Sequence, residues 1–211
     1  MKRIFRTASS VRESQLPAHL LREQYGNFRL TRAIRPGEKG GVVPEAGYRL
    51  EWTAASLPRL AASISAEMLF EVFVELVALL GEEPDVYLQS SHGRMRRDYL
   101  RRNIDRPVLL SYLVEFEELL LHDGYSGIIV VDRQGNREVH FDEHKVLVVY
   151  APRLQPFVQV MERFHLPRND RLRLILEGVH YHCSRPDYAA LLEQFRLQLG
   201  AEENTHLVWD S

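Results

Sequence analysis

The sequence predicts an α+β fold, with a mixed, largely antiparallel sheet, helices packed on one of its faces and a C-terminal helical segment. Two observations carry this prediction: a helical apolar period over residues 64–80, and three short apolar segments separated by turns over residues 128–150. We find no internal repeat and no long polar linker. We therefore expect residues 25–211 to form a single domain, preceded by an irregular arm over residues 1–24.

The first half of the chain contains two weak strand patterns and one strong helix pattern. Apolar and polar side chains alternate in residues 27–34 and 48–53, and the Gly- and Pro-rich stretch between these segments predicts a loop. In residues 64–80 the apolar positions follow one helical face, with Ser65 suited to cap the start and Gly81 to end the helix. Residues 85–91 predict a further strand.

The second half alternates between helix and strand patterns. A helix is predicted over residues 107–124, because proline suits a first helical turn and glycine a helix end. Three strands in an antiparallel meander are predicted over residues 128–132, 138–141 and 145–150. Three more helices are predicted over residues 154–164, 172–183 and 186–199. The middle one is ambiguous, since its leucines also alternate, but the helical spacing is more complete.

Composition excludes several classes of protein. The chain has 211 residues and one cysteine, Cys183, so it has no intrachain disulfide and no thiolate zinc site. It contains no apolar run long enough for a signal peptide or a membrane-spanning helix, so we expect a soluble, cytoplasmic protein without a membrane partner. The sequence patterns of P-loop, dinucleotide-binding, α/β-hydrolase and zincin sites are also absent.

The formal charge of −2 is the sum of opposed blocks. Residues 1–45 carry +5, residues 46–93 carry −5, residues 94–106 carry +4, and residues 107–211 carry −6. These blocks favour pairing of acidic and basic surfaces within or between subunits. The leading hypothesis is therefore a protein that acts by binding, to itself as a homo-oligomer or to another protein.

The basic block over residues 94–106 is the first candidate site. Arginine side chains can grip phosphates through paired hydrogen bonds while an aromatic ring stacks on a base. Nucleic-acid or phosphate binding is thus one alternative function, although the acidic flanks favour ion pairing with the protein itself. The candidate residues are Arg94, Arg96, Arg97, Tyr99, Arg101 and Arg102.

The second candidate site is a metal centre that would serve a metal-dependent hydrolase. Its candidate ligands are His140, Asp142, His144 and His180. In a strand the first three would point to one side, and imidazoles with carboxylates suit Zn, Mn or Fe. The alternative is that Asp142 merely stabilises a tight turn. On the predicted helix His182 would lie about 200° from His180, so the two could not share one ion.

One further string, Ser90-Ser91-His92, lies at the end of the strand predicted over residues 85–91. It has the residue types of a hydrolase site but lacks the nucleophile-elbow motif. The sequence does not decide whether the protein is an enzyme, and it names no cofactor.

Overall fold

The structure is a computed structural model, and it describes residues 20–54, 57–93 and 95–204. Within those residues the fold is α+β, as predicted, and it is built on an eight-stranded sheet. The expected irregular arm lies, up to residue 19, outside the described residues. None of the described helices is both long enough and apolar enough to cross a lipid bilayer.

The strands and helices of the described residues have the following bounds. The strands are β1 (Gln24–Tyr25), β2 (Phe28–Arg29), β3 (Ile34–Pro36), β4 (Gly47–Trp52), β5 (Pro58–Ser63), β6 (Asp85–Ser90), β7 (Arg97–Arg101), β8 (Ser126–Asp132), β9 (Arg137–Phe141), β10 (Leu147–Tyr150), β11 (His180–His182) and β12 (Glu202–Glu203). The helices are α1 (Ala66–Ala78), α2 (Arg106–Glu115), α3 (Glu117–His122), α4 (Gln155–Arg163) and α5 (Tyr188–Leu199).

The main sheet has the strand order β12-β7-β6-β8-β9-β10-β5-β4, and all its pairings are antiparallel. The predicted meander of β8, β9 and β10 is confirmed. Strand β5 was not predicted, because its sequence, Pro-Arg-Leu-Ala-Ala-Ser, has no β-branched or aromatic residue. Two separate two-stranded antiparallel ribbons accompany this sheet. One is formed by β1 and β2, and the other by β3 and β11.

All five helices contribute to the main core on one face of the sheet, which confirms the predicted packing. Two aromatic contacts mark this core. The Phe73 ring of α1 meets the Phe141 ring of β9 edge-on at 5.0 Å, and Phe116 stacks on Phe195 of α5 at 4.4 Å. The fully buried members include Leu60, Leu69, Val72, Leu76, Leu88, Leu109, Leu113, Val130, Val139, Leu147, Phe157 and Met161.

A smaller core covers the other face of the sheet near β5 and β10. Alternate side chains of a strand point to opposite faces, so Leu60 belongs to the main core while Ala61 belongs to the smaller one. The smaller core consists of Phe28, Leu30, Ile34, Ala61, Val146, Leu172, Leu174 and Ile175. Because it includes Ile34 of β3, it anchors the β3–β11 ribbon to the sheet.

Several predicted elements have different bounds or a different type. The prediction of a helix over residues 172–183 is wrong: one 3-10 turn, Ile175–Glu177, is followed by strand β11. Pairing with β3 overrides the helical spacing, since Cys183 donates its backbone N–H to Ala33 (2.8 Å) and Gly37 donates to Val179 (2.7 Å).

Two other predicted elements have different bounds in the structure. The predicted helix 107–124 is two helices that meet at Phe116, whose φ of −105° and ψ of 20° leave the helical region. The predicted strand 27–34 is reduced to β2 and to β3, which begins at Ile34.

Candidate metal centre

Three histidines from two separate segments come together in the fold. His144 lies in the turn between β9 and β10, and His180 and His182 are the two ends of β11. One ring nitrogen from each lies within 4.8 Å of the others. The three rings contact one another edge-on, with centroid separations of 4.9, 4.8 and 5.2 Å. No other such group of His, Cys, Asp or Glu side chains occurs among the described residues.

Strand geometry explains how β11 contributes two of these rings. Side chains two apart in a strand point to the same side, so His180 and His182 are neighbours, whereas on the predicted helix they would diverge. The strand is fixed by its antiparallel register with β3, in which His180 lies opposite Pro36 and His182 opposite Ile34.

The third imidazole is positioned by a tight turn. The Asp142 carboxylate accepts hydrogen bonds from the backbone N–H groups of His144 and Val146, both at 3.0 Å. Lys145 adopts a φ of 60°, which turns the chain back into β10. Asp142 therefore stabilises the turn and also contacts the His144 ring, but it is not one of the three side chains whose ligand atoms come together.

Each of the three imidazoles has its Nδ1 atom engaged by an acceptor. The pairs are His144 with Asp142 Oδ2 at 3.1 Å, His180 with the Gly178 carbonyl at 2.8 Å and His182 with the Gly124 carbonyl at 2.6 Å. A carbonyl oxygen only accepts, so Nδ1 of His180 and of His182 carries the proton. In a neutral ring the lone pair is then on Nε2, which is the arrangement found where histidine binds a metal.

The surroundings also keep two of these rings neutral. Burial, with the neighbouring His144 charge, lowers the pKa of His182 to about 4. Burial likewise lowers the pKa of His180. Burial opposes the charged form of His144 too, but its hydrogen bond to Asp142 outweighs this and raises its pKa. At neutral pH the two rings of β11 therefore offer lone pairs.

A buried lysine lies beside the imidazole cluster, next to His144 in the sequence. The Lys145 ammonium is buried and donates to the Ser126 carbonyl at 3.0 Å, and burial lowers its pKa to about 8. Three carboxylates act on it, those of Asp123, Asp142 and Glu143.

The structure brings together only part of the predicted ligand set. His144 and His180 are neighbours, and Asp142 lies behind His144 as its hydrogen-bond partner. His140 is apart from them: its Nε2 pairs with Glu138 at 2.9 Å and its ring contacts Tyr150 at 5.1 Å. The strand alternation that would have aligned His140 with His144 ends at Phe141, where the turn begins.

Sequence reasoning missed His182 because it placed residues 172–183 on a helix. The His-Tyr-His spacing was the available signal, since two imidazoles two residues apart on a strand can share one ion.

The arginine segment lies elsewhere, on β7 near the edge of the sheet, and Arg94 falls outside the described residues. Arg96 lies 3.7 Å from Asp98, and Arg97 lies 3.8 Å from Glu203. The Tyr99 ring contacts the Arg196 guanidinium at 5.4 Å. Arg101 and Arg102 are exposed. Self-association or phosphate binding through this segment stays a prediction.

Comparisons with known proteins give no family for this chain: no family model, no curated protein and no solved structure matches it.

Proposed function

We propose that this protein binds one divalent transition-metal ion through Nε2 of His144, His180 and His182, and that the bound metal serves a hydrolase. The observation that carries the proposal is the engagement of all three Nδ1 atoms by acceptors. Such outer partners fix the ring orientation and the tautomer of metal-binding histidines.

The dimensions of the cluster fit this proposal. Zn²⁺ binds imidazole nitrogens at about 2.0–2.1 Å, so two nitrogens of a tetrahedral site lie about 3.3 Å apart. The ring nitrogens lie within 4.8 Å of one another, so they would approach by at most about 1.5 Å to bind one ion. Neutral imidazoles suit zinc, copper, iron and nickel, and we expect Zn²⁺ as the simplest occupant.

The number of ligands supports catalysis rather than a structural role. Structural zinc sites have four protein ligands, whereas catalytic sites have three and leave the fourth position to water. Zinc held by three neutral imidazoles lowers the pKa of bound water to about 7. Attack by such a water on an acyl or phosphoryl centre is hydrolysis.

Zinc titration of metal-free protein, prepared without a histidine tag, tests the binding. We expect one Zn²⁺ per chain. Loss of an outer partner alone lowers metal affinity by about 10–100-fold, so loss of a ligand should lower the zinc affinity by about 100-fold or more. The ligand variants are His144→Ala, His180→Ala and His182→Ala. His140→Gln is the matched control, because His140 is also partly buried and also pairs with a carboxylate. Equal affinity in all four variants would contradict the proposal.

The hydrolase part of the proposal has its own measurement. Cleavage of 4-nitrophenyl acetate should rise in proportion to zinc occupancy, and chelation should remove it. Stoichiometric zinc binding without any zinc-dependent cleavage would support the metal-binding site and contradict the proposed hydrolase activity.

A further inference from the structure

A second imidazole–carboxylate pair lies beside the metal centre. The segment that follows β6 is fixed there by two contacts of Ser91. Its Oγ donates to Glu143 Oε2 at 2.9 Å, and its backbone N–H donates to the Tyr125 carbonyl at 2.7 Å. Glu143 directly precedes His144, so the next residue along this segment, His92, is held near the proposed ligands.

The imidazole of His92 is oriented by a buried carboxylate. Its Nε2 lies 2.7 Å from Asp123 Oδ2, and the Asp123 side chain has no exposed surface. Burial opposes ionisation of Asp123, but the hydrogen bond and the charge of His92 outweigh this and lower the pKa of the carboxyl. An ionised carboxylate only accepts, so Nε2 of His92 carries a proton and Nδ1 faces away from Asp123.

One tyrosine ring joins this pair to the metal cluster. The Tyr125 ring meets the His92 ring edge-on at 5.5 Å and lies nearly parallel to the His182 ring at 6.2 Å. The His92 side chain keeps 16% of its surface exposed, so a bound molecule can reach it. The arrangement is a cluster of three imidazoles and, across the Tyr125 ring from it, a separately oriented and partly exposed imidazole.

We infer that His92, oriented by Asp123, donates a proton to the leaving group in hydrolysis at this centre, and that the substrates are esters whose leaving groups are more basic than 4-nitrophenolate. This inference rests on the proposed function. A water oxygen forms the new bond to the acyl carbon and gives one proton to solvent. The bond from that carbon to the leaving oxygen breaks, the electron pair stays on the leaving oxygen, and the imidazolium of His92 protonates it. Solvent then returns a proton to His92.

The dependence of the rate on the leaving group distinguishes a proton donor from a residue with only a structural role. A phenolate stabilised by a nitro group departs without protonation, whereas a simple phenolate gains from it, and general acids contribute about 10²–10⁴-fold where they act. Zinc-loaded wild-type protein, His92→Gln and the control His140→Gln are therefore compared on 4-nitrophenyl acetate and on phenyl acetate.

We expect His92→Gln to bind zinc normally, to lose about 100-fold or more on phenyl acetate, and to lose little on 4-nitrophenyl acetate. Asp123→Asn should also lose activity on phenyl acetate, but less than His92→Gln, because the amide still offers a hydrogen-bond partner to the His92 ring. Equal losses on both esters, or no loss on either, would overturn the inference while leaving the hydrolase intact. A wild-type protein that binds zinc but cleaves neither ester would overturn both.

Discussion

Nδ1 of His182 donates a 2.6 Å hydrogen bond to the carbonyl oxygen of Gly124, which ties β11 to the loop before β8. The same glycine donates its own N–H to the Cys183 carbonyl at 2.9 Å. Gly124 therefore holds both the backbone and the imidazole of the strand that supplies two of the three proposed ligands.

Gly124→Ala should weaken metal binding without changing any proposed ligand. A Cβ at this position would lie 2.3 Å from the Ala33 carbonyl and 2.7 Å from the Cys183 carbonyl, so the β3–β11 ribbon must move. We expect roughly 1–3 kcal/mol of destabilisation, by analogy with overpacked sites, and a lower zinc affinity. Denaturant unfolding and zinc titration measure the two effects. Gly93→Ala is the control, because the nearest atom to its Cβ is 3.5 Å away, and equal behaviour of the two variants would refute this role.

Asp142→Asn tests the outer partner of His144. The amide keeps an acceptor for the backbone N–H groups of the turn but removes the charge that favours the Nδ1–H form of the ring. Loss of such a partner lowers metal affinity by about 10–100-fold. Zinc competition titration gives the value. An unchanged affinity, with the fold intact by circular dichroism, would mean that Asp142 serves the turn alone.

The stability of the metal-free protein should fall as the pH is lowered from about 6.5 to about 4. The pKa of His182 and that of His122 are both lowered to about 4, mainly by burial, from an ordinary value of 6.5. In that window the unfolded chain binds protons that the folded chain does not, so acid favours unfolding. At pH 5 each group removes roughly 2 kcal/mol from the free energy of unfolding.

His144 has the opposite sign, because its pKa is raised, and so it offsets part of this loss. Guanidinium unfolding at pH 7 and at pH 5 measures the total, and His122→Gln should reduce the difference. A free energy of unfolding that is the same at both pH values would contradict these assignments.

The sequence predicted helix α1 and strands β6, β8, β9 and β10, because the apolar side chains of these segments follow a helical period or form short buried runs. Helix α1 and the meander of β8, β9 and β10 follow directly from where their buried side chains fall. Strand β5 could not be found this way, because its four buried residues are one leucine, two alanines and a serine, and its pairing with β10 joins segments that are distant in the sequence.

The metal centre was only half predictable, for a related reason. His144 and His180 were named from residue type, but the local period assigned the second histidine segment to a helix. What makes it a strand is its pairing with β3, about 145 residues earlier in the chain. The same pairing adds His182 to the cluster, and the turn at Asp142 removes His140 from it.

The central claim is that three imidazoles of this chain hold one metal ion, and zinc K-edge X-ray absorption of the zinc-loaded protein tests it most directly. We predict a four-coordinate nitrogen and oxygen shell at about 2.0–2.1 Å, with the outer-shell scattering of three imidazoles. His182→Ala should reduce the imidazole number by one, and His140→Gln should leave it unchanged. A spectrum without imidazole scattering, or one that His182→Ala does not alter, would contradict the claim.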